Sequence, residues 1–153
     1  MIKKIFITPF FERNTYRKIV YSLNEEWLRY LKSLNLKFEI LTPYNIEKIE
    51  KKNCAIILTG GGDLYKFKKR KENFLRDIFE KKVIEICKTK KIKILGICRG
   101  MQLYCLVDNC KFSKTKKHYL KKQQKININK NNLLKEKNIY VNSFHNFKIM
   151  KIS

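Results

Sequence analysis

Cys98 stands between two glycines in the stretch Gly96-Ile97-Cys98-Arg99-Gly100, where the apolar run Ile92 to Leu95 gives way to a helix-like segment. A thiol on a tight strand-to-helix turn follows the logic of a nucleophile elbow. The turn lifts the side chain above the sheet, and the amides and dipole of the helix N-terminus favour a thiolate. The competing explanation is a small core residue, since free cysteine is among the most buried side chains. A second glycine turn, Thr59-Gly60-Gly61-Gly62-Asp63, closes another apolar run, Cys54 to Thr59. It lacks the Lys-Ser/Thr of a phosphate-binding loop and the spacing of a dinucleotide fingerprint, and alone it reads as a flexible loop. Two such turns at neighbouring strand ends, however, aim backbone N–H groups at one point, where α/β sheets build their sites.

Hydrophobic periodicity gives the elements that must position these turns. Lys3 to Thr8 and Leu36 to Leu41 read as strands, and Cys54 to Thr59 and Ile92 to Leu95 as strands buried on both faces. Between them the spacing predicts two helices. One runs from about Thr15 to Leu34 on Val20, Leu23, Trp27, Leu31 and Leu34; the other runs from about Glu72 to Thr89 on Leu75, Ile78, Phe79, Val83 and Ile86. Strands alternating with helices imply βαβ units and a parallel sheet, hence an α/β sandwich spanning residues 1–153 as a single domain.

Composition narrows the function classes. No apolar run approaches the roughly 20 residues of a membrane span, and the start enters a strand pattern without signal-peptide organisation, so a cytoplasmic protein is expected. The five cysteines are odd in number and lack metal or redox spacing, which argues against disulfides and a structural metal; no cofactor is expected. The net charge of +23 invites nucleic acid, but 30 of the 36 cationic residues are Lys, spread along the chain with no nucleic-acid motif. Lys, Ile and Asn fill 64 of 153 positions, the mixture an AT-rich genome writes. Charge here speaks to solubility and nonspecific association, and no specific nucleic-acid partner is expected.

Taken together, Ile94 to Gln102, the upstream Ile56 to Leu64 and the downstream Val141 to Phe147 resemble the class I glutamine amidotransferase superfamily, within it the γ-glutamyl-γ-aminobutyrate hydrolase-like branch. The resemblance implies a flavodoxin-like three-layer sandwich with a mainly parallel sheet, and hydrolysis of a γ-glutamyl amide through a thioester on Cys98. It implies an oxyanion hole from the backbone N–H groups of Gly61 and Arg99. Substrate contacts are expected from Gly60, Gly62, Gln102, His145, Asn146 and Phe147. Arg13 to Asn35 is similar to a subgroup tied to surface-polysaccharide clusters, which includes hydrolases of γ-glutamyl-linked cytidine diphosphoramidate.

His145 matches the substrate loop of that family, not its base, which lies in a later His-Pro-Glu motif. The two histidines, His118 and His145, both lack that Glu partner, and the sequence stops at Ser153. The expectation is a chain cut short of its base and closing strands, with two outcomes open. One is a hydrolase of a small-molecule γ-glutamyl substrate, truncated here or completed by another chain, with a homo-oligomer left open as a state of the protein. The other is a member that binds a glutamyl ligand or partner without turnover.

Overall fold

The computed structural model describes residues 4–50, 53–114, 124–127, 138–141 and 147–151. The chain forms two compact units, Met1–Asn109 and Cys110–Ser153. The first holds a four-stranded parallel sheet made of β1 (Lys4–Ile7), β4 (Phe38–Ile40), β5 (Cys54–Leu58) and β6 (Lys93–Gly96), in the order β4-β1-β5-β6. A hairpin, β2 (Phe10–Arg13) with β3 (Ile19–Ser22), three α-helices, α1 (Glu25–Ser33), α2 (Lys71–Lys90) and α3 (Arg99–Val107), and a short 3-10 helix, Ile46–Glu50, complete it.

The alternation of side chains along a strand divides the core into two layers. Ile7 and Ile57 face α1, where they meet Leu31, Trp27 and Leu23. Phe6, Ile56 and Leu58 face the other way, onto Phe79, Val83, Ile84 and Cys87 of α2 and Leu103 of α3. This is the expected three-layer arrangement, and it leaves the carboxyl ends of β5 and β6 side by side.

Two expectations need correction. The helix predicted over Thr15 to Leu34 is a hairpin strand followed by a shorter helix. Asn14 makes the turn: its Oδ1 accepts from the Tyr16 and Lys18 amides, while Arg17 takes a left-handed φ of 58°. Such a turn cannot continue a helix, and the β-branched Ile19 and Val20 then suit a strand. Phe11 fixes the hairpin through an edge contact with Tyr21 at 4.6 Å and a stacked contact with Phe79 at 5.7 Å. In α2 the buried stripe is rotated from the expected one. Ile78 is exposed, while Arg76, Asp77 and Glu80 lie buried beside Phe79 and Val83.

The second unit contains two antiparallel pairs, β7 (Lys111–Lys114) with β10 (Phe147–Lys151) and β8 (Gln124–Asn127) with β9 (Asn138–Val141).

Between β1 and β4, Glu39 bonds Lys4 and Lys48, and these two partners hold its carboxyl down at about 2. Because the folded value is depressed, its stabilisation is complete above the ordinary carboxylate range and fades as pH falls toward 2. For a pair this near the surface the share is about 0.2–1 kcal/mol. Glu39→Gln should therefore lower the urea midpoint slightly at pH 7, with the difference from wild type shrinking by pH 3.

Candidate active site

The turn after β6 is built as an elbow. Cys98 is the N-cap of α3 with φ 49° and ψ −105°, a conformation that costs an L-residue of order 1–3 kcal/mol. Its neighbours hold it there. The Ile97 amide donates to the Leu58 carbonyl at 3.0 Å, the Gly100 amide to the Ile97 carbonyl at 2.9 Å, and the Gln102 amide to the Cys98 carbonyl at 3.0 Å.

The flanking glycines are required by close approach. A Cβ on Gly100 would lie 2.2 Å from the Leu58 carbonyl oxygen, and one on Gly96 would lie 2.8 Å from the Met101 backbone. Helix α3 thus starts against the end of β5, and the thiol is pushed outward. Cys98 is exposed, whereas Cys54 and Cys87 of the same unit are buried.

The glycine turn after β5 lies against this elbow. A Cβ on Gly60 would sit 3.1 Å from that of Cys98. Gly61 and Gly62 take φ of 78° and 73°, and a Cβ on Gly61 would enter the Phe10 ring. Of the residues expected in the site, Cys98 and Gly60, Gly61 and Gly62 are therefore placed on two adjoining turns, and Arg99 and Gln102 in the start of α3 that follows the elbow. Phe147 opens β10 in the second unit; His145 and Asn146 lie outside the described residues.

Sequence reasoning missed what lies beneath. Arg76 of α2 donates to the carbonyls of Thr59 and Gly61 at 3.0 Å and of Gly60 at 3.3 Å, and to the Thr59 hydroxyl at 2.8 Å. Its Nε donates to Oε1 of Glu80 at 3.0 Å. The buried Arg99 side chain donates to Oε2 of Glu80, to Asp77 and, at 3.4 Å, to the Asp63 carbonyl. Thr8 adds its hydroxyl to Glu80 at 2.7 Å, and the Tyr65 amide donates to Asp77 at 2.9 Å. Burial works against ionisation of Glu80, but the two guanidinium groups and Thr8 outweigh it and hold the carboxyl below its usual range. Asp77 is raised by burial more than Arg99 and the Tyr65 amide lower it. The signal was in the sequence: Arg76 and Glu80 stand four residues apart on the same stripe as Val83 and Cys87.

Beside the glycine turn, a cleft of about 400 Å³ is lined by Phe11, Glu12, Arg13, Gly62, Asp63, Lys68, Arg70, Glu72 and Asn73. Arg13 pairs with Glu72 at 3.1 Å and Lys68 with Asp63 at 3.8 Å.

Among known proteins, the family model for glutamine amidotransferase class-I matches residues 19–152. A γ-glutamyl-CDP-amidate hydrolase from Campylobacter jejuni subsp. jejuni serotype O:2 is 35% identical over 130 residues, which are 84% of this chain and 58% of that protein. The chain thus spans well under two thirds of that relative's length. Two crystal structures share the fold. A protein from Thermoplasma acidophilum, described as part of a GMP synthase, has a TM-score of 0.68 at 19% identity, covering 100% of this chain and 69% of its own. A Thermotoga maritima glutamine amidotransferase has a TM-score of 0.66 at 19% identity, covering 97% and 63%. The flavodoxin-like α/β sandwich expected from the sequence is the fold observed.

Two outcomes check the elbow. A thiol-selective reagent, read by peptide mass mapping on folded protein, should label Cys98 first and Cys87 last. Burial and the neighbouring Cys54 push the Cys87 thiol up to about 12. Cys98→Gly should be more stable to urea than Cys98→Ala by about 1–3 kcal/mol, because glycine adopts φ 49° without strain and alanine does not.

Proposed function

The chain belongs to the class-I glutamine amidotransferase family, and from that premise we propose that its chemistry is cysteine-dependent hydrolysis of a γ-glutamyl amide bond. The observation that carries this reading is an exposed, strained Cys98 on an elbow that adjoins a glycine turn. In the proposed reaction the Cys98 sulfur attacks the γ-carbonyl, and the Gly61 and Arg99 N–H groups stabilise the oxyanion of the tetrahedral intermediate. The C–N bond breaks as the amine takes up a proton, leaving a γ-glutamyl thioester that water hydrolyses to glutamate and free thiol. Gly60, Gly62, Gln102, His145, Asn146 and Phe147 are proposed to hold the glutamyl group.

The proton transfers need a general acid–base, and a His followed two residues later by Glu is absent from the 153 residues. We assign that task to a group beyond these residues, in further sequence or in a different, complementing chain, and not to His145.

For the substrate we favour a γ-glutamyl-linked nucleotide amidate. Support comes from the description of the Campylobacter relative and from the cleft beside Gly62. Its size suits a small ligand, and on this reading Arg13, Lys68 and Arg70 would exchange their pairing with Glu72 and Asp63 for phosphate groups. The five free cysteines suit a reducing, cytoplasmic location.

The test is turnover of γ-glutamyl-CDP-amidate and of glutamine. The chain is assayed alone and fused to the part of the Campylobacter relative that lies outside the match. The fusion should hydrolyse the amidate, Cys98→Ala should abolish this, and the chain alone should be slower by at least about 10²–10⁴-fold. Arg13→Ala should raise KM for the amidate more than for glutamine. Binding of the amidate by a fusion that never turns it over would favour the alternative of a ligand-binding member. Robust turnover by the chain alone that is lost in His145→Ala would make His145 the base.

A further inference from the structure

Both donors of the proposed oxyanion hole belong to peptide groups whose opposite ends are tied down. In a trans peptide the C=O of one residue and the N–H of the next point in opposite directions. The Gly60 carbonyl accepts from Arg76, so the Gly61 N–H on the same peptide points away from Arg76. The Thr59 and Gly61 carbonyls are held by the same guanidinium, which turns the Gly60 and Gly62 amides the same way. At the elbow the Cys98 carbonyl accepts from the Gln102 amide, so the Arg99 N–H points out of the start of α3. The Arg99 side chain runs back beneath the turn to Glu80. One carboxylate thus joins the two turns, Oε1 to Arg76 and Oε2 to Arg99.

We propose that Arg76 and Glu80 are positioning residues for the reaction. Arg76 orients the peptide that carries the Gly61 N–H, and Glu80 sets the distance between that donor and the Arg99 N–H. The inference rests on the γ-glutamyl amidase reading above, but it concerns residues that never touch substrate. Stabilising the core alone does not call for this arrangement. A buried ion pair can be replaced by apolar residues of similar volume at little loss, whereas three of the five acceptors of Arg76 are consecutive carbonyls of the glycine turn.

The experiment compares two reagents on Cys98 of the full chain. A γ-glutamyl chloroketone is attacked at its carbonyl and passes through an oxyanion; iodoacetamide is displaced directly and forms none. Arg76→Lys keeps the charge but loses the planar fork. It should slow the chloroketone reaction by about 10²-fold, the effect of losing one oxyanion donor, with the iodoacetamide rate within about 3-fold of wild type. Glu80→Gln, which frees the two guanidinium groups from their shared charge, should act in the same direction and serves where Arg76→Lys does not fold. Equal slowing with both reagents, no slowing with either, or unfolding of both variants would overturn the proposal and leave the network a stabilising role alone. Wild type that reacts with iodoacetamide and not with the chloroketone would overturn the amidase reading together with it.

Discussion

The first unit depends on one fully buried carboxylate placed between two guanidinium groups. Glu80 has no exposed surface, and it is tolerated there because both of its oxygens are engaged: Arg76 and Thr8 donate to Oε1, and Arg99 donates to Oε2. A buried charge stripped of one partner costs about 3–5 kcal/mol, so the four groups Arg76, Asp77, Glu80 and Arg99 are energetically coupled. Two positive and two negative groups make the set neutral, and the +23 of the whole chain does not enter it. Among the described residues no buried side-chain nitrogen or oxygen lacks a hydrogen-bond partner. Such a fully satisfied polar network rigidifies the turns above it, where a half-satisfied one would loosen them.

Strain at Cys98 is the complement of that rigidity. A left-handed φ at a non-glycine residue persists only where the surroundings over-determine it. Here the surroundings are the backbone of Leu58 pressed against Gly100, the helix begun at Arg99, and the anchor of the Arg99 side chain. The same features that strain the backbone expose the sulfur. The glycines at 96 and 100 are therefore not flexible points; they allow two backbones to approach more closely than any side chain permits.

How much of this was legible depends on which physical signal each part carries. The parallel sheet follows from short apolar runs alternating with helical segments, and β1, β5, α2 and β6 fall where periodicity puts them, whereas the strand order β4-β1-β5-β6 is a tertiary property that periodicity does not carry. The elbow was legible because glycine, cysteine and glycine at fixed spacing admit few explanations. The hairpin was not, because Val20 and Leu23 happen to keep a helical spacing with Trp27 and Leu31, and the Asn14 turn that interrupts them is a hydrogen-bonding event with no hydrophobic trace. The buried charges were missed for a related reason. A search for apolar residues at helical spacing discards Arg76 and Glu80, although the stripe through Val83 and Cys87 runs straight through both. Charged residues on a core-facing stripe are the sign to look for, since only complete pairing keeps them there.

On the proposed chemistry, the described part of the first unit divides the reaction at a definite point. Sulfur attack and oxyanion stabilisation draw on a side chain and two backbone amides, all set by β5, β6, α2 and α3. Expulsion of an amine and activation of water draw on a proton carrier, and no histidine lies among the described residues. A cysteine tolerates this division better than a serine would, because a thiol is intrinsically more nucleophilic and needs less help from a base to attack. The amide leaving group has no such latitude, since an amine is expelled only as it is protonated. The network under the elbow holds its geometry through contacts among β5, β6, α2 and α3, and so does not depend on which group delivers the proton.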